Sequence, residues 1–87
     1  MAGEWHINLS REAQKSIDKI PQDYVTLIKQ SLIEISIDPF TGDIKKMAGE
    51  KSLYRKRVAS YRIIYRVLKD ILYIEVIEVS HRQSAYK

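Results

Sequence analysis

Cysteine is absent from this chain of 87 residues. Its absence excludes a disulfide framework and a thiolate metal site, and it is the usage expected in a reducing cytoplasm. No apolar run approaches the roughly 18–20 residues that a membrane-spanning helix requires. The N-terminal residues form neither a basic start nor an apolar stretch, so we expect no signal peptide. Together these absences predict a soluble protein that stays in the cytoplasm.

The remaining composition is that of a small folded protein. Hydrophobic residues make up 45% of the chain and charged residues 30%, a balance typical of globular rather than disordered proteins. A chain of this length has room for one hydrophobic core, so we expect a single domain over residues 1–87.

Acidic residues are scarce in the second half of the chain. Residues 1–44 contain four Lys/Arg and seven Asp/Glu, a net charge of −3. Residues 45–87 contain eleven Lys/Arg and four Asp/Glu, a net charge of +7. This segregation favours a polyanion-binding surface built by the C-terminal half. The alternative is a solvated basic face without a ligand, and the charge balance alone does not decide between the two.

The hydrophobic pattern predicts one strand, two helices and three further strands. Ser10 is the expected N-cap of the first helix, and Pro21 separates the two helices. The stripe of the second helix comprises Tyr24, Leu27, Ile28, Leu32 and Ile35. The predicted elements are residues 5–9, 10–20, 23–37, 53–58, 61–68 and 71–79.

This order of elements predicts an α+β fold. The arrangement is β-α-α-β-β-β, with a two-helix hairpin packed on one face of a small antiparallel sheet. Ala59-Ser60 and Lys69-Asp70 are the expected hairpin connections, although neither contains the glycine that tight turns prefer.

Strand alternation predicts which basic residues share a face. In the strand 61–68 the odd positions are apolar and face the helices, so Arg62 and Arg66 face the opposite side. In the strand 53–58, Tyr54 and Val58 join the core if Arg55 and Arg57 lie on the face of Arg62. Lys56 then points towards the helices, and we expect it to reach the edge of the helix layer.

Several guanidinium groups would therefore converge on one open face of the sheet. Like charges directly opposite each other destabilise a sheet, and arginine binds phosphate in a bidentate manner. The cluster is suited to recognition of an RNA backbone, and Lys45, Lys46, Lys51 and Arg66 are the further expected RNA contacts. The alternative is that Glu75 and Glu78 of the last strand neutralise the arginines.

The C-terminal segment adds His81, Arg82 and Tyr86. Histidine exchanges protons near neutral pH, and tyrosine can stack on a base. His6, by contrast, lies in a strand without such companions, so we expect a structural role for it.

Two stretches carry a family resemblance. Residues 53–67, LYRKRVASYRIIYRV, resemble the central signature of the RelE/ParE toxin superfamily. Val79-Ser80-His81-Arg82 followed by Tyr86 resembles the closing motif of that family. The order of the predicted elements also agrees over nearly the whole chain, which implies the RelE-like, microbial ribonuclease-type fold.

The resemblance implies a role for each matching residue. Arg55 and Arg57 match basic residues of the first meander strand, and Arg62 matches an arginine that holds the scissile phosphate. Arg82 matches the arginine of the closing motif, and Tyr86 the tyrosine that stacks on the target nucleotide. His81 stands where relatives often have histidine or lysine, and Ala59 and Ser80 stand where they commonly have glycine.

One departure concerns the general base. Some RelE-like toxins carry lysine where this chain has Arg55 and Arg57, and a lysine of lowered pKa can accept a proton. Arginine is a poor base because its guanidinium stays protonated. The proton of the 2′-hydroxyl would then pass to Tyr86, to His81 or to a residue of the ribosome.

The resemblance implies three alternative functions. The first is a ribosome-dependent endoribonuclease that cuts mRNA in the A site without metal or cofactor, as the toxin of a type II toxin–antitoxin pair. The second is a ParE-like toxin that inhibits gyrase without cutting RNA, and the third is a basic binding module without catalysis. The terminal Tyr86 favours the first over the second. All three imply an antitoxin partner, RelB-like for the first.

Overall fold

The computed structural model describes residues 5–47, 49 and 51–81. The strands are β1 (His6–Leu9), β2 (Ile44–Lys46), β3 (Leu53–Val58), β4 (Tyr61–Leu68) and β5 (Tyr73–His81). The helices are α1 (Arg11–Asp18) and α2 (Gln22–Ile37), and a short 3₁₀ turn covers Lys69–Ile71. Within these residues, neither helix is long and apolar enough to cross a membrane.

The two helices pack on a five-stranded sheet of order β1-β5-β4-β3-β2. The predicted α+β class, the helix pair and the antiparallel meander of the last three strands are confirmed. The sheet as a whole is mixed rather than antiparallel, because β1 runs parallel to β5 with Ile7 opposite Ile74. It also has a strand that the sequence pattern did not predict, since the three residues of β2, Ile-Lys-Lys, are too few to show an alternation.

Several predicted boundaries were wrong by one or two residues, and the last strand continues to His81 rather than ending at residue 79. The last strand begins at Tyr73 rather than at residue 71, because Leu68 pairs with Tyr73 and leaves the residues between them in the connection. Within that connection Leu72 adopts a left-handed φ of 50° and Ile71 is 67% exposed. Helix α1 ends at Asp18 rather than at residue 20, because Lys19 caps it.

The core lies between the helices and one face of the sheet. Ile63, Tyr65 and Val67 of β4 are buried there, as strand alternation predicted. The stripe predicted for α2 was partly wrong, because Tyr24 and Leu27 are 40% and 43% exposed. The buried positions of α2 recur at steps of three and four residues and are Val25, Ile28, Ser31 and Ile35.

The loop between α2 and β2 is held by side-chain hydrogen bonds. The hydroxyl of Tyr65, which is fully buried, donates to the carbonyl oxygen of Pro39 at 2.6 Å, and burial raises the pKa of this phenol. The Asp38 carboxylate accepts hydrogen bonds from the Thr41 hydroxyl and the Phe40 amide, which lower its pKa. These contacts fix the path of the chain into β2.

A bulge in β5 determines to which side of the sheet the side chains of its C-terminal half project. Tyr65 pairs with Val76 and Ile64 with Glu78, so Ile77 has no partner in β4. The hydroxyl of Ser10 donates to the Ile77 carbonyl at 2.8 Å and accepts from the Ala13 amide at 3.1 Å. One side chain therefore caps α1, as predicted, and also satisfies the bulge.

Replacing Ser10 with Ala should lower the free energy of unfolding by about 2 kcal/mol, because the helix loses its cap and the Ile77 carbonyl its side-chain donor. Urea unfolding followed by circular dichroism measures the change. Ser16→Ala in the same helix is the matched control, and its effect should stay within about 0.5 kcal/mol. Equal effects of the two substitutions would contradict the double role of Ser10.

Candidate functional site

Arginines gather on the sheet face opposite the helices, here called the open face. Arg57 of β3 lies directly opposite Arg62 of β4 in the strand register. Arg55, two residues before Arg57, lies opposite Ile64 on one side and Lys45 of β2 on the other. Since paired residues project to the same side of a sheet, the structure confirms that these three arginines share a face.

Arg57 and Arg62 bring two positive charges opposite each other in the strand register. Directly paired side chains have their Cβ atoms about 5 Å apart, and like charges at that distance destabilise the sheet. Neither Glu75 nor Glu78 forms an ion pair with any residue that the structure describes. These two glutamates therefore do not provide the neutralisation considered above.

The opposed arginines line a cleft at the end of the β3–β4 hairpin, here called the arginine cleft. It has a volume of about 230 Å³, and its other described lining residues are Asp43, Ala59 and Tyr61. The backbone amide of Arg57 donates to the carbonyl oxygen of Asp43 at 3.1 Å, which joins the Asp43 loop to β3. A bound phosphate group would contact two guanidinium groups here and so relieve their repulsion.

Ala59 completes the hairpin in a left-handed conformation, with φ of 55°. Tyr61 pairs with Val58, so the predicted connection Ala59-Ser60 is confirmed as a two-residue loop. A residue other than glycine at this φ is strained, and such strain persists only where the surrounding structure enforces it.

Two residues beside the arginines were not predicted as site residues. Asp43 was assigned only to a turn, and its place beside Arg57 depends on the pairing of β2 with β3, which the sequence pattern did not reveal. Ser80 lies opposite Arg62 on the open face, and its buried hydroxyl has no hydrogen-bond partner among the described residues.

Lys56 supports the cleft from the helix side of the sheet. Its side chain does not end at the edge of the helix layer, as predicted, but is buried, with its Nζ 2.7 Å from Oε1 of Glu34 in α2. Gly42, with φ of 107°, passes over this side chain, since a Cβ there would lie 3.6 Å from the Lys56 Cε. The ion pair therefore fixes α2, β3 and the loop that carries Asp43 relative to one another.

The remaining basic residues are spread along the sheet. Arg66 lies on the open face but four residues from Arg62, a distance of about 13 Å along a strand, and opposite Glu75. Lys45 faces Arg55, whereas Lys46 pairs with Tyr54 and lies on the helix side. Lys45, Lys46, Met47 and Arg55 line a cleft of about 220 Å³ beside β2. Lys51 is exposed in the turn that leads into β3.

His81 lies on the other side of the sheet from Arg62. It pairs with Tyr61, and the two rings meet edge to face with centroids 5.1 Å apart. Since Tyr61 lines the arginine cleft, His81 adjoins that cleft through this ring and not through the open face. His6 stacks on Tyr73 at 5.4 Å, which agrees with the structural role expected for it. Arg82 and Tyr86 lie outside the described residues.

Comparison with known sequences identifies one family over most of the chain. Residues 7–86 match the family model described as the ParE toxin of the type II toxin–antitoxin system, parDE. The chain is also 25% identical, over 97% of both sequences, to a toxin of Methanocaldococcus jannaschii named RelE1.

Solved structures share the fold. The toxin in the RelB–RelE antitoxin–toxin complex from Methanococcus jannaschii is 30% identical, with a TM-score of 0.76 over 91% of this chain and 94% of that one. The archaeal RelE–RelB complex from Pyrococcus horikoshii gives a TM-score of 0.79 at 20% identity, over 90% and 94% of the two chains. Isolated E. coli RelE gives 0.78 at 22% identity, over 88% and 83%.

The Lys56–Glu34 pair generates a prediction about stability. Glu34→Ala leaves the buried ammonium group without its acceptor and should lower the free energy of unfolding by about 2 kcal/mol. Lys56→Met removes the charge but keeps an unbranched side chain, so the change should stay below about 1.5 kcal/mol. Urea unfolding of both variants tests this order, and a larger loss for Lys56→Met would contradict it.

Proposed function

This chain belongs to the ParE toxin family of type II toxin–antitoxin systems, and we propose that it arrests growth as an endoribonuclease that cuts mRNA in the ribosomal A site. The observation that carries the proposal is the opposition of Arg57 and Arg62 in a cleft on the open face. The relatives named RelE and the RelE fold support it. Its place of action would be the cytoplasm, where ribosomes translate.

The reaction is an internal transesterification of RNA. The 2′-hydroxyl loses its proton as its oxygen attacks the adjacent phosphorus. The bond from phosphorus to the 5′-oxygen breaks, and that oxygen takes up a proton from water, so a cyclic phosphate and a 5′-hydroxyl remain. Negative charge gathers on the phosphate oxygens in the transition state. Arg57 and Arg62 would stabilise that charge, assisted by Arg55 from the adjacent position on the same face. This step uses neither a metal nor a cofactor.

Three residues near the C-terminus complete the proposed site. Arg82 would stabilise the leaving oxygen, and Tyr86 would stack on the base beside the scissile bond; both roles rest on the family resemblance. His81 would act next to the cleft through its contact with Tyr61. Lys45, Lys46, Lys51 and Arg66 would bind flanking phosphates.

Asp43 is the candidate we propose for the general base. It is the only carboxylate among the described residues that line the arginine cleft, and its backbone is hydrogen-bonded to that of Arg57. With the phosphate on Arg57 and Arg62, a carboxylate in the same cleft is suited to accept the proton of the 2′-hydroxyl. Its position supplies the acceptor that the arginines themselves cannot provide.

The proposed partners are the ribosome with its mRNA and a RelB-like antitoxin. The solved relatives from Methanococcus jannaschii and Pyrococcus horikoshii were crystallised with RelB antitoxins. A basic surface of this kind is attractive to an acidic or amphipathic antitoxin segment.

A second candidate is a toxin that inhibits gyrase, which the ParE name of the matching family favours. The two candidates differ in what they do to purified targets. An endoribonuclease cuts mRNA on translating ribosomes, whereas a gyrase inhibitor blocks DNA supercoiling and leaves mRNA intact. A binding module without catalysis would do neither and would not arrest growth when expressed.

Arg62→Ala should abolish growth arrest and reduce mRNA cleavage by at least about 100-fold, since one preorganised donor contributes on the order of 3 kcal/mol to a transition state. The assay is cleavage of mRNA on purified ribosomes, with circular dichroism to verify folding. Arg11→Ala removes an exposed arginine of α1 and should leave the rate unchanged. Full toxicity of the Arg62 variant would refute the proposed function.

Asp43→Asn keeps the backbone hydrogen bond to Arg57 but cannot accept a proton, so kcat should fall by about 10²–10⁴-fold with KM little changed. Asp23→Asn, an exposed substitution in the first turn of α2, is the control. A wild-type kcat for Asp43→Asn would exclude it as the base without affecting the role of the arginines.

A further inference from the structure

A second basic cleft lies at the other end of the β3–β4 pair, here called the lysine cleft. It has a volume of about 340 Å³ and brings together Lys46, Lys51 and Lys69 with a single carboxylate, Asp70, among its described lining residues. None of the three lysines forms an ion pair within the described part of the chain. Three unneutralised ammonium groups around one cleft make it a site for an anion with several charges.

The lysine cleft is lined by apolar as well as charged side chains. Tyr54, Val67 and Leu68 line it together with the lysines. The ammonium group of Lys69 also lies over the Phe40 ring, 5.2 Å from its centroid, which holds this charge beside the cleft. A cleft with both positive and apolar lining can accommodate both the backbone and the bases of a single-stranded nucleic acid.

The lysine cleft is connected to the arginine cleft around the edge of the sheet. Lys46 lines both the lysine cleft and the neighbouring cleft of Lys45 and Arg55. Arg55 is in turn two residues from Arg57 on the open face. Because β2 is the edge strand and its lysines alternate between the two faces, positive charge continues around this edge.

We propose that Lys69 joins Lys46 and Lys51, two of the flanking-phosphate contacts named above, in a second RNA-binding site, which takes the backbone of the single-stranded RNA that extends from the arginine cleft around β2. This inference rests on the proposed function, because it takes the strand to be the one held for cleavage. Lysine suits this task, since its flexible side chain neutralises phosphates without requiring a fixed orientation. Continuity with the arginine cleft favours RNA over an acidic protein segment, which would not need it.

The test measures binding of RNA of two lengths by the full chain. RNA with 2′-O-methyl groups cannot be cut, so fluorescence anisotropy reports equilibrium affinity. A trinucleotide is short enough to occupy the arginine cleft alone, whereas a dodecanucleotide reaches the lysine cleft. Lys51→Gln/Lys69→Gln should weaken binding of the dodecanucleotide by about 25-fold at 0.1 M salt and reduce the salt slope by about 1.4, the value for two phosphate contacts to a single strand. Binding of the trinucleotide should not change.

Two matched variants separate charge from folding and from general electrostatics. Lys51→Arg/Lys69→Arg should retain wild-type affinity because the charges remain. Lys15→Gln/Lys19→Gln removes two exposed positive charges near the end of α1 and should leave the dodecanucleotide affinity within twofold. An equal loss in the α1 variant would overturn the proposal, because the effect would then come from net charge.

Other outcomes also decide the question. The second site is overturned if Lys51→Gln/Lys69→Gln leaves the dodecanucleotide affinity unchanged. It is also overturned if this variant binds an acidic peptide more weakly while its RNA binding is undiminished. The proposed function is tested separately by cleavage on ribosomes. A wild-type chain that binds the dodecanucleotide through these lysines but cuts no mRNA would refute the endoribonuclease and leave the lysine site standing.

Discussion

The hydroxyl of Ser10 and the carbonyl of Ile77 form the hydrogen bond on which the two sides of the fold depend. The extra residue in β5 shifts the alternation by one, and Ser10 satisfies the carbonyl of that residue while it caps α1. Beyond the bulge, Val79 is buried against the helices and Ser80 joins Arg62 on the open face. The same contact joins the first helix to the strand that leads to the C-terminal motif. Packing and site geometry are thus set together.

The arginines of the open face form no ion pair with Glu75 or Glu78 among the described residues. Arg57 and Arg62 face each other, and the cleft between them is bounded by a loop fixed on several sides. Lys56 lies beneath that loop, and the hydroxyl of Tyr65 anchors it from the core. The residues that stabilise the site are thus buried on the opposite face of the sheet from the arginines.

Membership of the toxin family and the basic second half of the chain lead to one interpretation of the surface. Positive charge is concentrated in the strands and not in the helices, so it is displayed on the sheet and around its β2 edge. A polyanion that follows this surface would meet the arginine cleft first and the lysine cleft further along. Helix α2 has exposed apolar residues of its own, among them Ile33 and Ile37. The opposed arginines and the packed core lie on different faces of the same sheet.

The sequence by itself determined the order of the two helices and of the strands other than β2, and the shared face of Arg55, Arg57 and Arg62, because alternation along a strand is strict and the strand 61–68 carries a clear apolar stripe. It also determined the cap at Ser10, since a hydroxyl before an amphipathic helix is a local signal. Tertiary structure decided the facing of His81 and the place of Asp43 beside Arg57. The first depends on a bulge satisfied from 67 residues away, and the second on an edge strand of three residues. Such features arise from long-range hydrogen bonds, which a local pattern of residues does not predict.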